Sequence, residues 1–341
     1  MRIGIDARKI RDFGIGTYIR GLMRGLDALE GDEEYVAWVP ADAVSLVPRR
    51  FTAVVENTPN YGLRELLQMR RAADRAHIDL YHSPHLVVPF VSMPFVASIH
   101  DVIPSSFPER NPIAALYIKW MTTRAVRQSL AVLTGSEAAK RAITRAFRAD
   151  AEKIVVTSYG IDVPAAVPPQ RSWGRYILFV GNDKPHKNVA VLVDAMAIVR
   201  RSEPTLSLVL AGGAFERFAH VDGVRRTGFI SEDELGGAYR GALALVLPSL
   251  EEGFGLPAAE AMTCGVPVIT SEAEALLEVT ADAALHVDGR SADALAGAIL
   301  RVTADEALRA ELARRGDEWV RQFTWRRCAE RTLAVYRDKG R

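Results

Sequence analysis

The chain of 341 residues carries only two cysteines, Cys264 and Cys328, and neither stands in a CxxC pair. That scarcity excludes a disulfide framework or a cysteine-built zinc site and suits a reducing compartment. An excess of one charge is missing too: 43 Lys and Arg stand against 42 Asp and Glu, a formal +1. No broad cationic field is available to hold a nucleic acid. No apolar run approaches the roughly 18 residues of a membrane span. The sequence opens on the strand-like Met1-Arg2-Ile3-Gly4-Ile5 rather than on a charged and then apolar leader. The expected location is the cytoplasm, with a peripheral position at the inner face of the membrane as the alternative.

What is present is an ordinary globular composition, 49% apolar and 25% charged, in a chain long enough for two cores. Short apolar runs bounded by Gly, Pro or Asp alternate with stretches of helical periodicity, the pattern of parallel βα units. Strands are expected at Arg2 to Ile5, Tyr35 to Val39, Leu80 to His82, Phe95 to Ile99 and Ala131 to Thr134. A second series follows at Tyr176 to Val180, Leu206 to Ala211, Val224 to Thr227, Ala244 to Leu247, Val266 to Thr270 and Ala284 to Val287. Between them, Val163-Pro164-Ala165-Ala166-Val167-Pro168-Pro169-Gln170 holds three prolines, which disfavour helix and mark a linker. The predicted domains are residues 1–165 and 170–320, each a doubly wound α/β sheet with ligands expected at the carboxyl ends of its strands. The cleft between them is the expected site. A basic amphipathic helix is expected from Trp319 to Arg337, and residues 321–341 are assigned as the closing segment.

The most informative string runs from Pro248 to Pro267, PSLEEGFGLPAAEAMTCGVP. An apolar strand ends at Leu247, Gly253 and Gly255 allow close backbone approach, and Pro257 suits the first turn of a helix. The free amides and positive dipole end of that helix match a diphosphate, with Gly253, Phe254, Gly255 and Leu256 as the contacting backbone. Glu252 before the loop and Glu260 one turn into the helix can accept hydrogen bonds from different hydroxyls of one ligand, Glu252 those of a sugar and Glu260 those of a ribose. The bland alternative is a solvated acidic loop before an ordinary helix.

The whole string resembles the signature of glycosyltransferase family 4, retaining enzymes of the GT-B fold (two facing Rossmann-like domains around a cleft). The likeness extends along the chain. Phe13-Gly14-Ile15-Gly16-Thr17-Tyr18 is similar to the family's glycine-rich loop, so Gly14 and Gly16 are expected near the donor phosphates. Ile177 to Asn188 resembles the opening of the second domain, and Lys187 matches its phosphate-contacting lysine. Asn182 stands where relatives often have Arg, with Lys184 a substitute out of register. His100, in His100-Asp101-Val102-Ile103-Pro104, matches a histidine beside the donor sugar, where a neutral imidazole could orient the ring. Asp101 serves equally as a turn residue, and Ser136 before Glu137 reads as a helix N-cap. Glu278 is expected to be structural. Phe323-Thr324-Trp325 resembles the family's closing segment, which returns to the N-terminal domain.

The resemblance implies a nucleotide-diphosphate sugar as donor, with no prosthetic group and no metal requirement. His82, His85 and His100 could in principle form a metal site, but they lie on or beside a Ser-Pro loop without a cysteine partner. The motifs at His82 and His100 resemble a mannosyltransferase-rich subgroup and favour GDP-mannose, with UDP-glucose and UDP-N-acetylglucosamine as alternatives. The acceptor is expected to be a glycan or a lipid-linked glycan. A catalytically degenerate binding or scaffolding protein of the same fold is the competing reading, prompted by Asn182. Arg64, Arg70, Arg71 and Arg75 alternate with Leu63, Leu66, Leu67 and Met69 on one expected helix, which could rest on an anionic membrane or turn its apolar side to the core.

Overall fold

The computed structural model describes residues 1–60, 62–103, 111–164 and 167–340. Pro104 of the His100 motif, Ala165 and Ala166 of the expected linker, and the side chain of Leu63 lie outside that description. The chain divides into two compact units, Met1–Gly160 together with Phe323–Arg341, and Ile161–Gln322.

Unit 1 holds a parallel sheet of seven strands: β1 (Arg2–Asp6), β2 (Glu34–Val39), β3 (Phe51–Val55), β4 (Leu80–Ser83), β5 (Phe95–Ser98), β6 (Ala131–Thr134) and β7 (Ile154–Val156). Their order is β3-β2-β1-β4-β5-β6-β7, so the winding reverses between β1 and β4. The helices are α1 (Ile15–Asp27), α2 (Leu63–Arg75), α3 (Pro112–Gln128) and α4 (Glu137–Phe147). Interior strands read as unbroken buried runs because helices cover both faces of a parallel sheet. The sequence did not reveal β3 and β7, which occupy the two edges. Trp38, Met69, Tyr81, Ile99 and Val126 are among the side chains of one large core cluster.

Unit 2 repeats the winding with six parallel strands in the order β10-β9-β8-β11-β12-β13. These are β8 (Tyr176–Asn182), β9 (Ser207–Gly213), β10 (Val224–Gly228), β11 (Ala244–Leu247), β12 (Val268–Ser271) and β13 (Leu285–Val287). Its helices are α5 (Val189–Val199), α6 (Glu232–Gly241), α7 (Leu256–Thr263), α8 (Glu274–Thr280), α9 (Ala292–Ala304) and α10 (Glu306–Val320).

The last helix, α11 (Trp325–Lys339), belongs to unit 1. The single helix expected from Trp319 to Arg337 is instead two. The break falls at 321–324, where the Thr324 hydroxyl accepts from the Arg327 amide and caps a new helix. Return to unit 1 has a steric basis in α1. A Cβ on Gly21 would stand 2.0 Å from the Trp325 ring, and one on Gly25 would stand 2.4 Å from the Trp325 carbonyl oxygen. Only glycines leave room for the indole there. A buried relay then ties α11 to the sheet: the Tyr336 hydroxyl bonds His82 Nδ1 at 2.5 Å, His82 Nε2 bonds Ser98 Oγ at 2.7 Å, and Ser98 Oγ bonds the Tyr18 hydroxyl at 2.8 Å.

On α2, Leu66 and Met69 are buried and Leu67 is 56% exposed. The apolar side of this helix therefore mostly faces the core, the second of the two readings given to it.

Candidate active site

In unit 2 the carboxyl ends of β8, β11 and β12 carry the loops that the sequence singles out. Gly255, at φ +97°, is the N-cap of α7, and Pro257 lies in the first turn. The left-handed backbone at Gly255 favours glycine, and a Cβ there would stand 2.6 Å from Leu276 Cδ2, displacing that side chain. The N-terminus of α7 thus opens on a left-handed residue with no side chain of its own.

Lys187 ends a short 3-10 turn, Pro185–Lys187, and the left-handed Asn188 then starts α5. Its ammonium donates to Glu252 Oε1 at 2.6 Å, and the Ser249 hydroxyl donates to the same oxygen at 2.7 Å. The two side chains expected to address phosphate and sugar are therefore ion-paired with each other. Loop-to-loop bonds hold this pair in place: Leu250 donates to the His186 carbonyl at 2.7 Å, and the Asn188 amide donates to the Gly289 carbonyl at 2.6 Å. Burial pushes the His186 pKa down to about 4, assisted by the neighbouring Lys187 charge. His186 is thus neutral beside the pair. Glu260, one turn into α7, accepts from the Tyr239 hydroxyl at 2.7 Å.

Asn182 ends β8, and its side-chain oxygen accepts from the Lys184 amide at 3.3 Å. One cation close to this strand end was not read from the sequence. Arg217, in the turn after β9, donates to Asp183 Oδ1 at 2.6 Å and lies 4.5 Å from the Phe218 ring centroid. Only an Arg in the loop of the neighbouring strand hints at it. Tyr239 and Ser249 were also missed, because each acts on a carboxylate distant in sequence or through a turn.

In unit 1, His100 follows β5. Its Nε2 donates to the Pro84 carbonyl at 2.8 Å, so Nδ1 is the acceptor for the Tyr159 hydroxyl at 2.5 Å. Burial pushes its pKa down to about 4. The imidazole is neutral, as its assigned role requires, but both ring nitrogens already have protein partners. Donation to a sugar hydroxyl would require Nε2 to leave Pro84. Gly14, at φ +50°, caps α1. A Cβ on Gly16 would stand 2.6 Å from the Ile10 carbonyl oxygen, and the Gly16 amide donates to the Asp12 carbonyl at 2.9 Å. That glycine packs α1 against its own preceding loop, and its amide is committed there. Asp101 accepts from the Ile103 amide and Ser136 caps α4, both local structural tasks.

The three histidines do not form a metal cluster. Among the described residues, the acid and imidazole groups close enough to share an ion are Asp6, Glu65 and His85, all buried. Arg8 already bridges them, with Nη2 at 2.6 Å from both Asp6 Oδ2 and Glu65 Oε1. Burial opposes charge on Asp6, but the Arg8 guanidinium holds its carboxyl well below the usual range. The cluster is a buried triad of two carboxylates and one guanidinium, and its signal in the sequence was the Asp6-Ala7-Arg8 alternation at the end of β1.

Comparison with known proteins bears on the family and the fold. The family model "Glycosyltransferase Family 4" matches residues 14–164 and "Glycosyl transferases group 1" matches 168–319. O-antigen chain mannosyltransferase B of Escherichia coli is 28% identical over 95% of this chain and 96% of its own. The MMP alpha-(1->4)-mannosyltransferase of Mycolicibacterium hassiacum is 30% identical over 78% of this chain and 72% of its own. The structure of HepE from Anabaena in complex with UDP-glucose superposes with a TM-score of 0.77 at 16% identity, covering 99% of this chain and 100% of that one. With the two like-wound parallel units and the closing helix of the GT-B fold, the chain belongs to glycosyltransferase family 4.

Proposed function

We propose that this glycosyltransferase moves mannose from GDP-mannose to a glycan or lipid-linked glycan acceptor, with retention of the anomeric configuration. The observation that carries the reading is the Lys187–Glu252 pair, held on loops beside the glycine-opened N-terminus of α7. Such a pair keeps an ammonium and a carboxylate oriented until a diphosphate sugar offers each a better partner. Lys187 and the amides of Gly253, Phe254, Gly255 and Leu256 then meet the diphosphate charge. Glu252, released from the lysine, accepts from sugar hydroxyls. Glu260, oriented by Tyr239, accepts from the ribose. Asn182, at the end of β8, completes the donor surface of unit 2. The anomeric C–O bond to the diphosphate breaks as the acceptor oxygen bonds the same face, and the acceptor's proton passes to a diphosphate oxygen.

Mannose is favoured by the mannosyltransferase relatives. A UDP-sugar donor is the second reading, favoured by the UDP-glucose bound to HepE. A calorimetric titration with GDP-mannose, GDP, UDP-glucose, UDP-N-acetylglucosamine and UDP separates them. Tight binding of the GDP series, weakened about tenfold or more in Lys187→Ala and Glu260→Ala, is expected. Binding of the UDP series alone would replace the donor, and silence with every nucleotide would favour a non-catalytic binding protein. On this reading the cationic work is done by side chain and backbone, so binding is expected to persist in EDTA.

A further inference from the structure

Among the described residues, β3 is the sheet edge that the fold leaves undefended. The two sheets end in the edge strands β3 and β7 in unit 1 and β10 and β13 in unit 2. An edge strand presents unpaired main-chain donors and acceptors, and proteins blunt it by shortness, charge, a break in register or a cover. β7 and β13 are three residues long, and Arg331 on α11 donates to the Val156 carbonyl of β7 at 3.1 Å. β10 carries exposed Arg225 and Arg226, and its register shifts between Arg226 and Gly228. β3 has none of these devices. Its five residues, Phe-Thr-Ala-Val-Val, include no charge and no proline, and its register is unbroken from Phe51 beside Tyr35 to Val55 beside Val39.

The alternation of the ladder tells which groups face out. The Glu56 amide donates inward to the Val39 carbonyl at 2.8 Å, so with a period of two the main-chain groups of Thr52 and Val54 also turn toward β2. Those of Phe51, Ala53 and Val55 turn to the open side. The Phe51 amide is taken by the Pro48 carbonyl at 3.1 Å, which leaves the Phe51 carbonyl and both groups of Ala53 and Val55 for an incoming strand. Val55 is 52% exposed, and Val44 and Leu46, in the 3-10 turn beside β3, are 40 and 37% exposed.

This edge fits itself. Antiparallel pairing about a two-fold axis through Ala53, perpendicular to the sheet, sets Ala53 against Ala53, Phe51 against Val55 and Thr52 against Val54. Arg50 falls opposite Glu56, so the basic start of one strand meets the acidic end of the other, whereas a parallel partner strand would set like beside like. We infer that β3 is an interface between two copies of this chain. The Ala53 amide of each copy donates to the other's Ala53 carbonyl, each Val55 amide meets the other's Phe51 carbonyl, and Val44, Leu46 and Val55 form an apolar rim. The strand is short and the rim small, so the dimer belongs to the weak class that buries less than about 1,200 Å² and forms at micromolar concentration. The inference does not depend on the donor assignment, whose residues lie on other elements.

The test is sedimentation velocity of the full chain across a concentration series. Wild type is expected to pass from monomer to dimer as the concentration rises through the micromolar range. Ala53→Lys and Ala53→Glu each place like charges face to face at the two-fold axis, and each is expected to weaken the dimer about tenfold or more. An equimolar mixture of the two variants is expected to recover a mixed dimer. Ala53→Pro, which removes an outward amide and no bond to β2, is expected to weaken the dimer by about tenfold. Val55→Lys, at an exposed position, is a second charged variant should a charge at Ala53 disturb folding, with an expected loss of about fivefold. Melting temperature below the dimerisation range is expected to be unchanged in the charged variants, which separates lost pairing from lost folding. A wild type that stays monomeric at every concentration would overturn the inference and leave the edge to a strand from another protein. So would a dimer that survives both Ala53→Lys and Val55→Lys, or charged Ala53 variants that dissociate yet do not recombine.

Discussion

Each unit carries an acid–base cluster near the carboxyl end of its sheet, and the two differ in what surrounds them. Asp6, Arg8 and Glu65 have side chains 0, 2 and 0% exposed, anchored at the end of β1, two residues past it and on α2. Lys187 and Glu252 are 16 and 8% exposed and stand on loops. The first cluster is closed by protein groups, the Tyr81 hydroxyl donating to Asp6 and Arg8 to the Thr58 carbonyl, so removing Arg8 strands two carboxylates in low dielectric. In the second, the ammonium can exchange a carboxylate for an incoming anion. On the proposed function, the same chemistry is a structural fastener in unit 1 and a ligand-binding pair in unit 2.

The comparison can be broken by experiment. Arg8→Met is expected to lower the stability of unit 1 by about 4 kcal/mol, read as an earlier transition in calorimetry. An unshifted transition would mean that the cluster holds nothing together. Acid should act next. Burial, with the nearby His100 and His85, holds the His82 pKa down at about 3, and burial holds that of His100 at about 4, both from an ordinary 6.5. The unfolded chain therefore binds protons below pH 6.5 that folded unit 1 refuses. Stability is complete above that pH and falls as pH drops toward 4, by roughly 3 kcal/mol from His82 alone. Thermal melts of His82→Gln should show a shallower decline; the same slope as wild type would remove His82 from the account.

Lys187→Met sharpens the contrast. Its expected stability loss is about 1–2 kcal/mol, smaller than that of Arg8→Met because Glu252 keeps the Ser249 hydroxyl, while kcat falls roughly hundredfold. The reverse pattern, a large loss of stability with turnover intact, would make this pair a fastener as well. Smallest is Tyr239→Phe, which removes one hydrogen bond that orients the Glu260 carboxylate and should weaken donor Kd about fivefold. The readout is the nucleotide titration, since a purely structural tyrosine would move the melt instead.

Much of the architecture was legible because buried parallel strands are unbroken apolar runs. β3 and β7 were not, for reasons visible in their surroundings. Phe51 alone of β3 is buried, and β7 is three residues long after a turn. The Glu252-to-Glu260 loop was legible because glycines and Pro257 state a backbone geometry that few other contexts need. The Lys187–Glu252 bond was not, since it joins side chains 65 residues apart whose orientation depends on Ser249 and on the bonds between their loops. His100 shows a further limit. Its neutrality could be anticipated, but the capture of both its nitrogens by Pro84 and Tyr159 depends on tertiary packing.

The return of α11 also governs the order in which the molecule can be completed. A Cβ on Gly160 would stand 2.1 Å from the Trp325 amide nitrogen, so the two ends of unit 1's interrupted chain abut, with all of unit 2 threaded between them. During synthesis unit 2 has its whole sequence while unit 1 still lacks the helix that fills the Gly21 and Gly25 slot. The N-terminal part of unit 1 waits for its last helix, and the emerging chain must keep that slot open until Trp325 arrives.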